Sequence, residues 1–237
     1  MSKEKVYQFT DPTKPAKSLI VMLKIEIIFA VISIIARLNA SRVLLNIKNG
    51  NFSSEEEMVS AAERIDKIGM FIAGIDVLIG IIVLIIFIRW MYRAAANNFA
   101  WGIENISQKP HWCWINFIIP IWFLFKPYYF FREMWNAVEF DGADPEAWKN
   151  LPAPKCLKMY WICFIVRLIF NQIISRMEKG KDLSIDTLIA ISNLCIVTTI
   201  VEIALDVALI MLVSGIMARQ LQYWSKLNQH VLTEISQ

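Results

Sequence analysis

The sequence contains few of the residues from which most catalytic and metal sites are built. Only His111 and His230 are histidines, and both lie outside the long apolar segments. Intramembrane hydrolysis needs a Ser/His pair, a carboxylate dyad or a histidine-rich metal site, and a haem between helices needs axial histidines. There is also no phosphate-binding loop, dinucleotide fingerprint or nucleophile elbow. We therefore predict no catalytic residue, metal or cofactor, and we leave open whether the chain is an enzyme.

Cysteine and net charge are also low. The four cysteines lie in or beside apolar segments and form no CxxC motif, which argues against a disulfide framework or a zinc site. A net charge of +3 does not suggest a partner that is a nucleic acid.

Long apolar segments are abundant. The chain is 57% hydrophobic and its mean hydropathy is +0.47, which is typical of a membrane protein. A spanning helix needs about 20 apolar residues, and four segments qualify: 18–38, 68–92, 156–176 and 188–217. We predict an all-α, integral membrane four-helix bundle in a lipid bilayer.

The predicted organisation is a single membrane domain over residues 18–237, preceded by a loosely ordered polar tail over residues 1–17. Within the domain, Asn49, Gly50 and Asn51 predict a break after the first span. Ser53 or Ser54, followed by Glu56 and Glu57, has the pattern of a capping box. It predicts one long helix over residues 54–92, whose acidic first turns lie outside the membrane.

An element of a different kind separates the second and third spans, over residues 96–136. The apolar run 115–125 is short for a span and is interrupted by Pro120, and Pro127 follows it. Because proline breaks a helix, we predict a re-entrant or interfacial, proline-broken helical element. Whether residues 115–131 cross the membrane is left open.

Lysine and arginine predict the orientation. They are more frequent in the N-terminal tail, in the central segment 93–154 and after the fourth span than in the first and third loops. We therefore predict a multi-pass protein with both termini in the cytoplasm.

Each span carries a stripe of polar and small residues at a period near 3.5, which places each stripe on one helix face. The stripes are Glu26-Ala30-Ser33-Arg37, Asp66-Gly69-Ala73-Asp76-Gly80, Cys163-Arg167-Asn171 and Ser192-Cys195-Thr199-Glu202-Asp206. Small residues favour close helix packing in membranes. We predict that the stripes face inward.

The charged members of these stripes form a predicted intramembrane polar cluster: Glu26, Asp76, Arg167, Glu202 and Asp206. A charge at the bilayer centre costs about 2.5–3.5 kcal/mol on insertion scales, so these groups must pair, protonate or face water. We expect Arg167 to pair with Glu202, which leaves a surplus of acid.

Three interpretations of this surplus remain open. The charges are structural salt bridges and neutral carboxyls, or they line a cavity for a proton, a cation or a small cationic solute, or they bind lipid or a cofactor. Our functional prediction is a polar-cored bundle that handles a proton or cation. The alternative is a non-transporting scaffold or accessory subunit, acting with a membrane protein partner or as a homo-oligomer.

The end of the second span and the element after it carry a group of residues that we call the collar: Trp90, Arg93, Asn97, Pro120, Pro127, Arg132, Glu133 and Trp135. Arg93, Asn97 and Arg132 can donate to carbonyls freed by the proline breaks, and we expect Glu133 to pair with Arg93. The collar either braces the bundle or forms a cytoplasmic mouth that binds an anionic headgroup or a partner protein.

The collar belongs to an ordered pattern: Trp90-x-Tyr92-Arg93-Ala94, Asn97-x-x-Ala100-x-Gly102, Pro110-x-Trp112, Phe117-x-x-Pro120, Leu124-x-x-Pro127-Tyr128 and Glu133-x-Trp135. This order resembles a bacterial membrane family known as domain of unknown function 4328, although His111 stands where we would expect a glycine. The resemblance implies a multi-span protein of the bacterial inner membrane and implies no activity.

Overall fold

The computed structural model describes residues 7–103, 106–107, 109–117, 119, 122–139, 149, 151–180 and 184–235, without the side chains of 116, 139 and 230–235. Regular structure in this part of the chain is helical throughout. Five α-helices occur in the order α1 (Thr13–Lys48), α2 (Glu55–Ala100), α3 (Lys126–Asn136), α4 (Lys155–Glu178) and α5 (Ile185–Ile235).

Helices α1, α2, α4 and α5 are long and apolar enough to cross a membrane. Large apolar side chains on them have no protein neighbour to cover them: Ile28 is 62% exposed, Phe71 70% and Ile162 65%. Such surfaces are stable in lipid and not in water. The predicted all-α fold with four spans is confirmed, and the helices extend beyond the predicted spans.

Local capping explains where the first two long helices meet their connecting turn. Helix α1 ends at Lys48, and Gly50 in the turn that follows has a φ of +67°, the left-handed conformation that glycine adopts readily. The Ser54 hydroxyl accepts the backbone N–H of Glu57 at 3.2 Å, and the Glu57 carboxylate accepts the N–H of Ser53 at 3.0 Å. Both the predicted break and the predicted capping box are confirmed.

The segment between α2 and α4 contains no span-length helix among its described residues. It consists of 3₁₀ helices at Pro110–Phe117 and Trp122–Leu124, followed by α3 and a 3₁₀ turn at Ala137–Glu139. Pro127 lies in the first turn of α3, where the missing N–H of proline costs nothing, so it starts a helix and does not break one. Pro120 lies outside the described residues, and the re-entrant or interfacial character of this element stays a prediction.

The chain divides into two compact units. The first unit comprises residues 1–22, 83–161 and 208–237, and the second comprises 23–82 and 162–207. Helices α1, α2, α4 and α5 contribute residues to both units. The assignment of residues 18–237 to one domain stays a prediction.

Aromatic packing dominates the core of the first unit. Trp90 and Phe131 are fully buried, and their ring centroids lie 6.2 Å apart. The N-terminal residues join this packing, since Phe9 stacks on Trp224 with centroids 4.2 Å apart. The expectation of a loosely ordered tail is therefore wrong for residues 7–17, because aromatic side chains anchor the segment and α1 already begins at Thr13.

Candidate functional site

A cavity of about 290 Å³ lies in the second unit, between α1, α2, α4 and α5. Its volume could hold roughly ten water molecules at about 30 Å³ each. Four carboxyl groups and two guanidinium groups line it, contributed by Glu26, Asp76, Glu202, Asp206, Arg37 and Arg167. The lining therefore carries more acid than base.

One ion pair lies directly in the cavity wall. Arg167 Nε on α4 donates to Glu202 Oε1 on α5 at 2.7 Å. Neither side chain is fully buried, with 43% of Arg167 and 34% of Glu202 exposed. The predicted pairing of Arg167 with Glu202 is confirmed.

The other carboxyl groups are not neutralised in this way. Asp206 is 7% exposed and Glu26 is half-buried. Among the described residues, neither forms a salt bridge or a side-chain hydrogen bond. Arg167 attracts both carboxyl groups but is already paired with Glu202, and burying a carboxylate that has no ion-pair partner of its own is costly.

Two hydroxyl groups add to the polar wall. Thr199 Oγ1 donates its hydrogen to the carbonyl of Cys195 at 2.9 Å, which leaves its oxygen able only to accept from other groups. Ser33 Oγ is also buried in this wall, close to the Asp76 carboxyl.

The five residues of the predicted polar cluster all line this one cavity. The first stripe contributes all four of its members to the wall. The prediction that every stripe faces inward is wrong for the beginning of α2 and for Asn171, because Asp66, Gly69, Ala73 and Asn171 are exposed. Helical spacing identifies which residues share a face but not whether a neighbouring helix covers that face.

Among the residues that the structure describes, no group of three or more His, Cys, Asp or Glu side chains is placed to hold a metal ion. The carboxyl groups instead stand around the cavity.

Collar residues take separate structural roles in the first unit. Asn97 is fully buried: its amide nitrogen donates to the carbonyl of Thr10 at 3.0 Å and to Gln220 Oε1 at 3.2 Å. Gln220 in turn donates to the Ala94 carbonyl at 2.8 Å and to Asn98 Oδ1 at 3.0 Å. This buried network joins α2, α5 and the N-terminal segment.

The predicted Arg93–Glu133 pair is wrong. Arg93 donates to the Thr10 hydroxyl at 2.9 Å, because the N-terminal segment lies against the end of α2. Glu133 instead accepts the Ser107 hydroxyl at 2.7 Å and the Ser107 N–H at 3.3 Å. Burial raises the pKa of Glu133 above its ordinary value, and the Ser107 bonds partly oppose that shift.

Arg132 and Trp135 complete the collar on α3. Arg132 donates to the carbonyls of Lys149 and Leu151 at 2.6 and 2.8 Å, so it fixes the segment that leads into α4. The guanidinium of Arg219 lies over the Trp135 ring, 4.5 Å from its centroid. Trp90, by contrast, is a buried core residue.

Sequence reasoning missed Gln220 and Thr10, which hold Arg93 and Asn97 in place. Gln220 lies in the amphipathic stretch after the fourth span, where a glutamine gives no sign of burial. Thr10 lies in a polar segment that composition marks as unstructured. A possible signal was the aromatic content of that segment, Tyr7 and Phe9, which is unusual for a solvated tail.

Fold and site together define a multi-span, all-helical membrane protein with a charged cavity between its helices. Residues 54–218, more than half of the chain, match the family model named Domain of unknown function (DUF4328), and the chain belongs to that family. The predicted resemblance is thereby confirmed. No curated protein and no solved structure shows significant similarity to the chain.

Proposed function

We propose that the protein binds a proton or a small cation in the cavity of the second unit and passes it across the membrane. The observation that supports this most is the surplus of carboxyl groups around the cavity, in helices suited to a bilayer. Intramembrane carboxyl groups facing a cavity are typical of ion and proton pathways.

The electrostatic argument begins with the pair that is already formed. Arg167 neutralises Glu202, and Arg37 is the second guanidinium in the wall. Glu26, Asp76 and Asp206 then outnumber the remaining base by two. A cation or protons entering the cavity would offset this excess, and an anion would add to the repulsion.

The polar lining fits the same ligand class. Thr199 presents an acceptor oxygen, and the Ser33 hydroxyl lies in the same wall. Hydroxyl and carboxylate oxygens replace part of a cation's hydration shell. Ala30, Ile79, Gly80 and Leu205 supply the apolar part of the wall, which would suit the carbon atoms of a small organic cation.

The cellular setting is part of the proposal. The distribution of lysine and arginine supports a cytoplasmic location for both termini, and we propose the bacterial inner membrane as the location. The collar would then lie on the cytoplasmic side.

Flux through purified protein in liposomes tests this function. Wild-type protein should move protons or a monovalent cation down an imposed gradient, and the Glu26→Gln/Asp206→Asn variant should abolish the flux. Asp66→Asn is the matched control, because Asp66 is an exposed carboxylate on α2 outside the cavity. It should leave the flux unchanged.

Other outcomes would decide against transport. No flux in the wild type with any of the tested ions would contradict the proposal, as would undiminished flux in a folded double variant. If either finding came with a lower Tm in the double variant, the cavity charges would be structural, as in the scaffold alternative.

A further inference from the structure

A second, larger cavity lies in the first unit. It is an open groove of about 1,250 Å³, formed where the N-terminal end of α1 passes the end of the apolar part of α2 and the 3₁₀ helix Pro110–Phe117. This volume exceeds the roughly 300–1,000 Å³ of most small-molecule sites. The transport proposal does not involve this groove.

The groove is basic. Lys14 and Lys17 on α1 and Arg89 and Arg93 on α2 line it, together with a single carboxylate, Asp11. That carboxylate is already engaged, since Asp11 Oδ1 accepts the backbone N–H of Thr13, the first residue of α1, at 2.8 Å. The groove therefore presents an excess of positive charge to any ligand.

Apolar side chains occupy the same groove. Ile86 and Ile88 end the apolar run of α2, and Trp114 is 42% exposed on the 3₁₀ helix. Indole rings favour the level of the lipid headgroups, where an apolar body meets a polar surface. Basic and apolar groups thus lie together at the ends of two spanning helices.

We propose that this groove binds an anionic phospholipid, with the headgroup phosphate between Lys17 and Arg89 and the acyl chains along Ile86, Ile88 and Trp114. Charge complementarity selects the anionic headgroup. The position at the ends of two spans places the groove at the depth of that headgroup. Basic pockets between spanning helices bind such headgroups by this combination of charge and position.

Lipid-dependent stability of the full chain in detergent tests this site. Phosphatidylglycerol added to delipidated protein should raise Tm more than phosphatidylcholine does. The Lys17→Gln/Arg89→Gln variant should need on the order of tenfold more phosphatidylglycerol for the same rise, since each basic group near an anionic surface adds an attraction. Lys17→Arg/Arg89→Lys keeps the charges and should bind like the wild type.

A matched variant separates the groove from general surface charge. Lys155 and Lys158 are exposed at the beginning of α4 and do not line the groove, so Lys155→Gln/Lys158→Gln removes the same charge elsewhere. It should leave the lipid response intact. An equal loss in this control would overturn the proposal, as would a wild type that does not distinguish the two lipids.

The same assay distinguishes a lipid headgroup from free inorganic phosphate as the ligand of the groove. Inorganic phosphate at millimolar concentration should produce little of the stabilisation that phosphatidylglycerol produces. A full effect of phosphate alone would assign the groove to a soluble anion and overturn the lipid proposal. Flux in liposomes does not enter this measurement, so its outcome is independent of the transport proposal.

Discussion

Arg167 Nε and Glu202 Oε1 lie 2.7 Å apart, and this contact ties α4 to α5 in the wall of the carboxyl-rich cavity. The pair neutralises one acid and leaves Glu26, Asp76 and Asp206 to face the cavity with Arg37. Mutation can separate the contribution of this ion pair to stability from the contribution of the remaining carboxyl groups to ion binding.

The Arg167–Glu202 pair should show strong coupling in a double-mutant cycle. Arg167→Gln or Glu202→Gln alone leaves one charge uncompensated and should destabilise the protein by about 1–3 kcal/mol, below the 3–5 kcal/mol typical of fully buried pairs because both groups are partly exposed. The double variant should lose less than the sum of the two single losses. Unfolding in detergent micelles measures this, and additive losses would contradict the pairing.

Gly215 should not tolerate a side chain. A Cβ at this position would overlap the Trp135 ring. The guanidinium of Arg219 lies over one face of the same ring. Gly215→Ala should therefore destabilise the protein by about 1–3 kcal/mol, as overpacking does in other cores.

The control for Gly215 is Gly74→Ala on α2, where nothing lies within 4 Å of the added Cβ. Alanine is the better helix former by roughly 0.5–1 kcal/mol, so this variant should be neutral or more stable. Thermal unfolding of the two variants side by side tests the contact, and equal Tm values would show that Trp135 does not lie against α5.

The buried amide network should depend on Gln220. Gln220→Ala removes the donor to Asn98 Oδ1 and Ala94 O and the acceptor for Asn97. Each buried polar group left unpaired costs about 1–3 kcal/mol, so a Tm loss of several degrees is expected. Gln222→Ala changes an exposed glutamine on the same helix and should have little effect; matching losses would argue that the network contributes nothing.

Glu133 should make stability depend on pH. Burial raises its folded pKa above the ordinary 4.5, so the neutral form favours folding. This contribution is fully present below the unfolded pKa and is lost as the pH rises through the raised folded value. Glu133→Gln keeps an acceptor for Ser107 and should flatten the Tm–pH curve from about pH 4.5 upward, raising Tm near pH 7.

Exposed Glu63 on α2 offers a comparison for that experiment. Glu63→Gln makes the same exchange of a carboxyl for an amide at an exposed position, so it controls for the substitution itself. A Glu133→Gln curve parallel to that of the wild type would show that Glu133 is ionised in the fold without penalty.

Periodicity and composition were sufficient to predict four spanning helices and the Arg167–Glu202 pair. Hydrophobic runs give the spans directly, and the spacing of charges along each run gives the face. They could not predict that Asp76 lines the cavity while Asp66 and Gly69 on the same helix do not, because coverage of a face depends on the positions of other helices.

The collar was harder to predict because its contacts join residues far apart in the chain. Arg93 and Asn97 are satisfied by Thr10, 83 and 87 residues away, and local spacing cannot indicate such a partner. The sequence predicts that Pro127 breaks a helix, whereas in the structure it lies in the first turn of α3. The same residue type serves both roles, and only the conformation of the preceding residues decides between them.

The central claim, that the cavity is hydrated and selects cations, is tested most directly by cysteine accessibility. Ala30 lines the cavity, and neighbouring Val31 is 46% exposed on a face that does not. Ala30→Cys and Val31→Cys are placed in a background without the four native cysteines and treated, in liposomes, with cationic and anionic methanethiosulfonate reagents. Rates are normalised to a free thiol in solution.

The account predicts that the cysteine at position 30 reacts faster with the cationic reagent, and that Glu26→Gln/Asp206→Asn reduces this preference. The cysteine at position 31, facing lipid, should react with neither reagent. Failure of the residue-30 cysteine to react with either reagent, or a charge preference that survives neutralisation of Glu26 and Asp206, would contradict a hydrated, cation-selective cavity.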